Sequence, residues 1–221
     1  NGVSVFVTVV GTALSLVVSV LAAYALSRRE FRWRGFFNLV VIFTVLFNAG
    51  LVPWYMVCVQ VWHLKGSILA LILPMVVNGF NIFLLRNYMS QVPEELVEAA
   101  RMDGAPETTI VGQVMVPMAM PAIVTVGLFY AMGFWNDWFL ALMYLDNSQS
   151  LFPIQYLLRV LVTNSQFLSQ HSQVGSMGNF VLPSEGVKMA ACVLAIGPLV
   201  LIYLFAQKFF IKGLSLGAVK G

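Results

Sequence analysis

Residues 90–117 read SQVPEELVEAARMDGAPETTIVGQVMVP. This stretch holds Glu94, Glu95, Glu98, Asp103 and Glu107, five of the nine acidic residues in a 221-residue chain that is 60% hydrophobic and 10% charged. On either side the sequence is apolar. Residues 3–26, 36–62 and 66–85 carry no charge, and neither do 108–136 and 189–207. Mean hydropathy is +0.87. A helix needs about 20 apolar residues to cross a bilayer, and ~18 uncharged ones already make a candidate. Five such runs point to an all-α integral membrane protein with about five transmembrane helices, and not to a soluble fold with buried core helices. The polar island between the third and fourth runs is then the feature that needs explaining.

Charge placement gives the orientation. Arg28, Arg29, Arg32 and Arg34 follow the first run, Arg86 and Arg101 lie in the loop that holds the island, and Lys208, Lys212 and Lys220 follow the last run. Lys65, Arg159 and Lys188 fall on the other side. The positive-inside rule makes the richer side cytoplasmic. The island and the C-terminus are therefore expected inside, and residue 1 outside. The first run lacks a basic n-region and is too long for a signal peptide. Without an initiator Met, the numbering is expected to start inside a longer protein, with at least one helix preceding it. The net charge of +3 sits in loops, as an orientation signal, and gives no reason to expect nucleic acid. Cys58 and Cys192 lie far apart in apolar surroundings and read as buried thiols.

Along the first run, Ser15, Ser19 and Ala23 form a small-residue stripe suited to close helix packing in lipid. The basic loop after it reads as an orientation anchor or a contact for a cytoplasmic partner. Asn48, Gly50 and Pro53 weaken the second helix, expected at 36–57, and Trp54, Tyr55 and Trp62 suit the outer interface. The third run holds Pro74, Asn78, Gly79 and Asn81; its two amides suit helix–helix hydrogen bonding or a wet pathway. The fourth helix is expected from about 117–121 to 145. Its Asp137 is the one acid inside an expected span, and reads as a hydrogen-bond hub, a pathway or gate residue, or an interfacial group. Residues 146–186 form an outer segment with a short interfacial helix at 154–162. His63 and His171 are solitary and suggest neither a metal nor catalysis. Ser184 is a plausible N-cap for a fifth helix, which Gly197 and Pro198 would bend.

The island has its own helical grammar. Pro93 suits a first turn, and Glu94 and Glu95 complement the positive helix N-terminus. Leu96, Ala99 and Ala100 share an apolar face. Gly104 stops the helix with a left-handed cap, and Pro106 opens a second short helix. The expected shape is helix, sharp turn, helix, serving either as a solvated loop or as a small surface for another protein to grip.

These residues carry a resemblance. EAARMDG at 98–104, nine residues, then Val114, Val116 and Pro117, resembles the EAA loop of bacterial ABC importer permeases, whose pattern is EAA, three residues, Gly, nine residues, Ile-x-Leu-Pro. Glu98, Ala99, Ala100, Gly104 and Pro117 match; Val114 and Val116 replace the usual Ile and Leu. Asp103 in DGA, and FWNDWFLAL at 134–142, are similar to the carbohydrate-uptake branch, including the second permease of the maltose system. GLVPWYMV, LLRNYM and the ending KGLSLGAVKG look closest to the subset that takes up complex oligosaccharides.

The resemblance covers essentially the whole chain. It implies one type I ABC importer transmembrane domain over 1–221, with a sixth, N-terminal helix missing and a cytoplasmic coupling loop at 90–117. It also implies two ATP-binding subunits that hold ATP and Mg, a second permease as the other half of a heterodimer, and an extracytoplasmic solute-binding protein. The setting would be the bacterial inner membrane and its lipid. Glu98, Ala99, Ala100, Asp103, Gly104 and Pro117 would couple the chain to the ATPase: Glu98 through charged or capping contacts, the alanines by close fit, Gly104 by setting the turn. For a sugar cargo, Asn78, Asn81, Tyr130, Trp135, Asn136 and Asp137 would line the path, since rings pack on sugar faces and amides bond hydroxyls. The chain carries no G-x-x-x-x-G-K-[ST], so no P-loop of its own and no cofactor is expected within it. A secondary transporter would need more intramembrane ionisable groups. A membrane enzyme would need clustered catalytic residues. A permease for a non-sugar cargo remains the nearest alternative.

Overall fold

The computed structural model describes residues 2–146 and 149–170, together with 186, 189, 190, 192, 193, 195–198, 200, 203 and 204. The described residues are helical, with no strand among them. Helix α1 (Gly2–Ser27) is continuous and apolar enough to span a bilayer. Helix α2 (Arg34–Leu46) is followed by α3 (Leu51–Met56), which runs on as a π-helical segment, Val57–Val61. Two 3₁₀ segments, Ile68–Leu71 and Leu73–Met75, lead into α4 (Gly79–Met89). The island forms α5 (Glu94–Met102) and α6 (Glu107–Thr109). A π segment, Ile110–Met115, and α7 (Val116–Met118) lead into α8 (Met120–Asn136) and α9 (Phe139–Tyr144). Helix α10 (Ile154–Gln170) includes the expected interfacial helix and extends beyond it.

Besides α1, three bent pairs are long and apolar enough to cross if each is one broken span, which makes up to four spans among the described residues. The expected fifth span, 189–207, falls only partly within those residues, and His171 and Ser184 lie outside them. The expected second helix is no gently kinked rod. Its two halves meet at 114°, so the chain turns back by more than a right angle. Gly50 has φ +86°, and the Asn48 side chain accepts the Gly50 N–H at 2.9 Å. The second pair, Ile68–Met75 and Gly79–Met89, bends by 47° at residues 76–78, where Asn78 accepts the Asn81 N–H at 3.1 Å. The fourth helix also divides: Asp137 is extended, and its Oδ2 accepts the Leu140 N–H at 3.1 Å. Where water is scarce, freed backbone donors need protein partners; at each of these three breaks an Asn or Asp side chain provides one.

The core is built on α1, whose main neighbours are α8 and α4. Gly11, Ser15, Ser19 and Ala23 are buried at four-residue spacing, extending the expected stripe by one position. Small residues let the backbones approach, and close packing is a main force between helices in lipid. The approach is tight: a Cβ on Gly11 would lie 2.8 Å from the Phe134 ring, which is itself buried. The Ser19 hydroxyl pairs with the Tyr130 hydroxyl at 2.7 Å. By contrast, α2 buries none of its side chains.

Gly11→Val should therefore overpack the α1–α8 seam at a cost of about 1–3 kcal/mol. Thermal unfolding of the detergent-solubilised protein should show a lowered midpoint, partly restored by adding Phe134→Leu. An unchanged midpoint in the single variant would mean that the two helices are not in this contact.

Candidate functional site

Helix α5 begins after Pro93 with Glu94 and Glu95 in its first turn and Arg101 in its last, charges that favour the helix dipole at both ends. Its termination matches the sequence expectation. Gly104 has φ +76°. The Ala105 N–H bonds the Ala100 carbonyl at 3.0 Å and the Gly104 N–H bonds the Arg101 carbonyl at 2.9 Å, the paired bonds of a Schellman cap. A residue with a Cβ is disfavoured at that φ.

The faces of α5 differ from the expected apolar face of Leu96, Ala99 and Ala100. Val97 is 1% exposed and faces the body of the protein, with Ala100 and Arg101 half-buried beside it. Leu96, Ala99 and Met102 form an outward ridge at three-residue spacing, with Met102 88% exposed. Glu95, Glu98 and Asp103 flank the ridge and are exposed. The outward surface is thus apolar with an acidic border. Ala100 packs inward, while Pro117 is exposed at the far end of the loop. Near Pro117 the chain turns by 85° into α8. Pro117 and Pro121 flank that turn and carry no N–H, so fewer donors are left to satisfy there.

A polar network ties this loop to the first helix. The Tyr24 hydroxyl donates to Glu107 Oε2. Arg101 donates to Glu107 Oε1 from Nη2 at 2.8 Å and from Nε at 3.1 Å, and to Glu30 Oε1 from Nη1 at 2.5 Å. Arg28 lies over the Tyr24 ring, 5.1 Å from its centroid, and reaches Met115 Sδ at 2.9 Å. The hydrogen bond from Arg101 holds the Glu30 carboxyl below the usual carboxylate range. The bonds to Glu30 and then Glu107 push the Arg101 guanidinium further up. Arg101 therefore bridges α5, α6 and the loop after α1. Sequence reasoning missed this node, because Tyr24 and Glu107 are separated by 83 positions and no local pattern pairs them.

The residues expected along a substrate path do not form one cluster. Asn78 caps α4, and Asn81 is buried one turn into that helix. Tyr130 is bonded to Ser19 in the α1–α8 seam. The Trp135 Nε1–H donates to the Ala195 carbonyl at 2.7 Å, and Asp137 caps the start of α9. Asn136 lines a cavity of about 380 Å³ between the end of α8, α10 and residues 192, 195 and 196, at the end of α8 away from α5. Among the described residues, no group of His, Cys, Asp and Glu could hold a metal ion.

Residues 5–216 match the family described as the binding-protein-dependent transport system inner membrane component. The chain belongs to that family. It is 40% identical over 220 residues to Protein LplC of Bacillus subtilis (strain 168), covering 100% of this chain and 73% of that one. It is 42% identical over 220 residues to the polygalacturonan/rhamnogalacturonan transport system permease protein YtcP of the same organism, covering 99% and 76%. Among solved structures, a chain of a bacterial ABC transporter involved in import of the acidic polysaccharide alginate superposes with TM-score 0.82 at 32% identity, covering 95% and 73%. Membership makes the chain a permease subunit of an ABC importer, an integral inner-membrane protein without an ATPase site of its own.

Arg101→Gln should loosen the loop without unfolding the bundle. Hydrogen exchange of residues 98–109 should rise severalfold while the α1–α8 seam stays protected. Acidification should act in the same direction. Glu30 titrates below its ordinary value in the folded protein, so its contribution is present above the ordinary Glu pKa of ~4.3 and is lost as pH falls through the lowered one. Protection that is unchanged both in the variant and at low pH would remove Arg101 from the role of tie.

Proposed function

We propose that this chain is a membrane half of an ATP-driven, binding-protein-dependent importer of oligosaccharides, and that α5 is the helix its ATP-binding partner grips. The observation that carries the coupling reading is the outward ridge of Leu96, Ala99 and Met102, bordered by Glu95 and Glu98 and closed by the Gly104 cap. An apolar helix face with a charged rim is suited to a groove on a partner. The loop body behind it is anchored to α1, so a displacement of α5 is passed to the bundle through Arg101, Glu107 and Tyr24.

In this reading two ATP-binding subunits hold ATP and Mg. A second permease completes the membrane pathway, and a solute-binding protein delivers the cargo on the outer side. The coupling loop and C-terminus face the cytoplasm, in keeping with the basic residues beside them. Glu98 and Asp103 meet the ATPase through charged contacts, Ala99 allows close approach, Ala100 packs α5 on the loop body, and Gly104 and Pro117 set its turns. Support for an oligosaccharide cargo comes from the relatives, one of which is named for polygalacturonan and rhamnogalacturonan transport, and from the structural neighbour named for alginate.

The test is a pull-down from native membranes in mild detergent. An ATPase and a second permease should accompany the wild type. Glu98→Arg, which reverses charge on the exposed rim, and Gly104→Pro, which is incompatible with φ +76°, should each lose the ATPase while keeping the permease partner. Sugar-stimulated ATP hydrolysis should fall at least about tenfold in both, the scale of ~1.4 kcal/mol or more in coupling. Wild-type levels of stimulated hydrolysis in Gly104→Pro would count against α5 as the coupling element.

A further inference from the structure

The cavity at the end of α8 has a composition of its own. Its walls include Asn136 and Trp138 from the α8–α9 junction, Gln155 and Arg159 from α10, and Cys192 and Ala195. Its volume of about 380 Å³ falls in the ~300–1,000 Å³ range of small-molecule sites. No acidic side chain lines it among the described residues. Asp137 sits between two lining residues, but its Oδ2 accepts the Leu140 N–H.

Arg159 is arranged for one kind of ligand. Its guanidinium lies over the Trp138 ring, 4.8 Å from the centroid. Stacking occupies a face of the guanidinium and leaves its in-plane N–H fork available, the edge that matches a carboxylate in bidentate fashion. Arg159 makes no ion pair among the described residues. Gln155, one turn earlier on α10, and Asn136 across the cavity offer amides, which both donate to and accept from hydroxyls. A carboxylate fork with hydroxyl-binding amides around it is the complement of a sugar acid. A neutral sugar would leave the fork unused.

We infer that this cavity is a subsite for a uronate unit of an acidic oligosaccharide, with Arg159 gripping the carboxylate and Asn136 and Gln155 the ring hydroxyls. The inference rests on the oligosaccharide reading above and narrows it to carboxylate-bearing cargo. Trp138 acts as a positioning residue that holds the guanidinium plane.

The assembled transporter, purified with its partners and placed in lipid nanodiscs without the binding protein, is titrated by calorimetry with trigalacturonate and with its methyl ester. Trigalacturonate should bind more tightly than the ester, and added salt should erode that difference. Arg159→Gln should weaken trigalacturonate binding at least about tenfold, the scale of a lost hydrogen bond to a charged group, and leave the ester unchanged. Arg159→Lys, which keeps the charge without the fork, should fall between. Equal binding of acid and ester, or equal weakening of both by Arg159→Gln, would overturn the assignment. Binding of a neutral malto- or arabino-oligosaccharide with none of trigalacturonate would also overturn it, leaving the sugar-importer reading intact. If no oligosaccharide of either kind binds or stimulates ATP hydrolysis, the importer reading falls, and this one with it.

Discussion

The seam between α1 and α8 is the constraint on which the other elements depend. In lipid, burying one apolar face against another gains little over leaving it in the hydrocarbon, so helices associate through close packing and hydrogen bonds. Gly11, Ser15, Ser19 and Ala23 supply the closeness, and Ser19 with Tyr130 supplies a bond in the seam. The same helix is anchored at both ends. Near its start, Ser4 Oγ accepts the Ile154 N–H at 2.8 Å, fixing the first residue of α10. Near its finish, Tyr24 meets Glu107 in the loop that carries α5 and α6. One continuous helix of 26 residues, about 39 Å long at 1.5 Å per residue, thus touches the segment that carries Arg159 and the loop that carries α5.

The broken elements follow a different rule. An unpaired backbone group costs several kcal/mol in hydrocarbon, so a helix can stop there only with a substitute partner. Asn48, Asn78 and Asp137 each accept a backbone N–H at a break. The turn at 118–120 uses another solution: its two prolines carry no N–H, and the Ala119 N–H still reaches Met115 at 2.9 Å. These polar residues have a local structural task whatever else they meet during transport. Asp137 shows why that matters. As the one acid inside an expected span it invites a functional reading, yet its carboxylate is engaged where α8 ends and α9 begins.

Legibility in the sequence tracked the range of the interaction. The turn between α5 and α6 was readable because Pro93, Gly104 and Pro106 act within a few residues of themselves. The α1 stripe was readable because small residues at four-residue spacing share a face. The Arg101 node was not, because its partners come from three separate elements, and a charged residue beside a glycine cap reads equally well as a solvated one. The reversal after α2 was half readable. Asn48, Gly50 and Pro53 marked a break, but hydropathy carries no angle, and a run of the right length reads as a span whether it crosses or turns back. The inward and outward faces of α5 differ from the sequence expectation for a related reason. Leu96 and Ala100 are four residues apart and both apolar, yet Val97 is the residue the body of the protein accepts, which moves the exposed ridge to Leu96, Ala99 and Met102.

An unbroken helix beside several broken ones has a mechanical consequence. A regular α-helix resists bending along its length, because its ladder of hydrogen bonds must distort together, whereas a break with its own cap lets adjoining segments reorient at the cost of a few dihedrals. A push on α5 reaches α1 through a compact node of one arginine, two carboxylates and a phenol. From α1 it can travel in two ways. Rigid transmission moves the Ser4 end, and with it the start of α10. Lateral transmission passes through the small-residue seam to α8, which has a break at each of its ends. The first route leads to the element carrying Arg159 and the second to the junction carrying Asn136 and Trp138, and those two elements face each other across the cavity. A change in the angle between α1 and α8 would therefore alter the spacing of Arg159 and Asn136, so the node behind α5 and the cavity lined by Arg159 are joined through one packing seam.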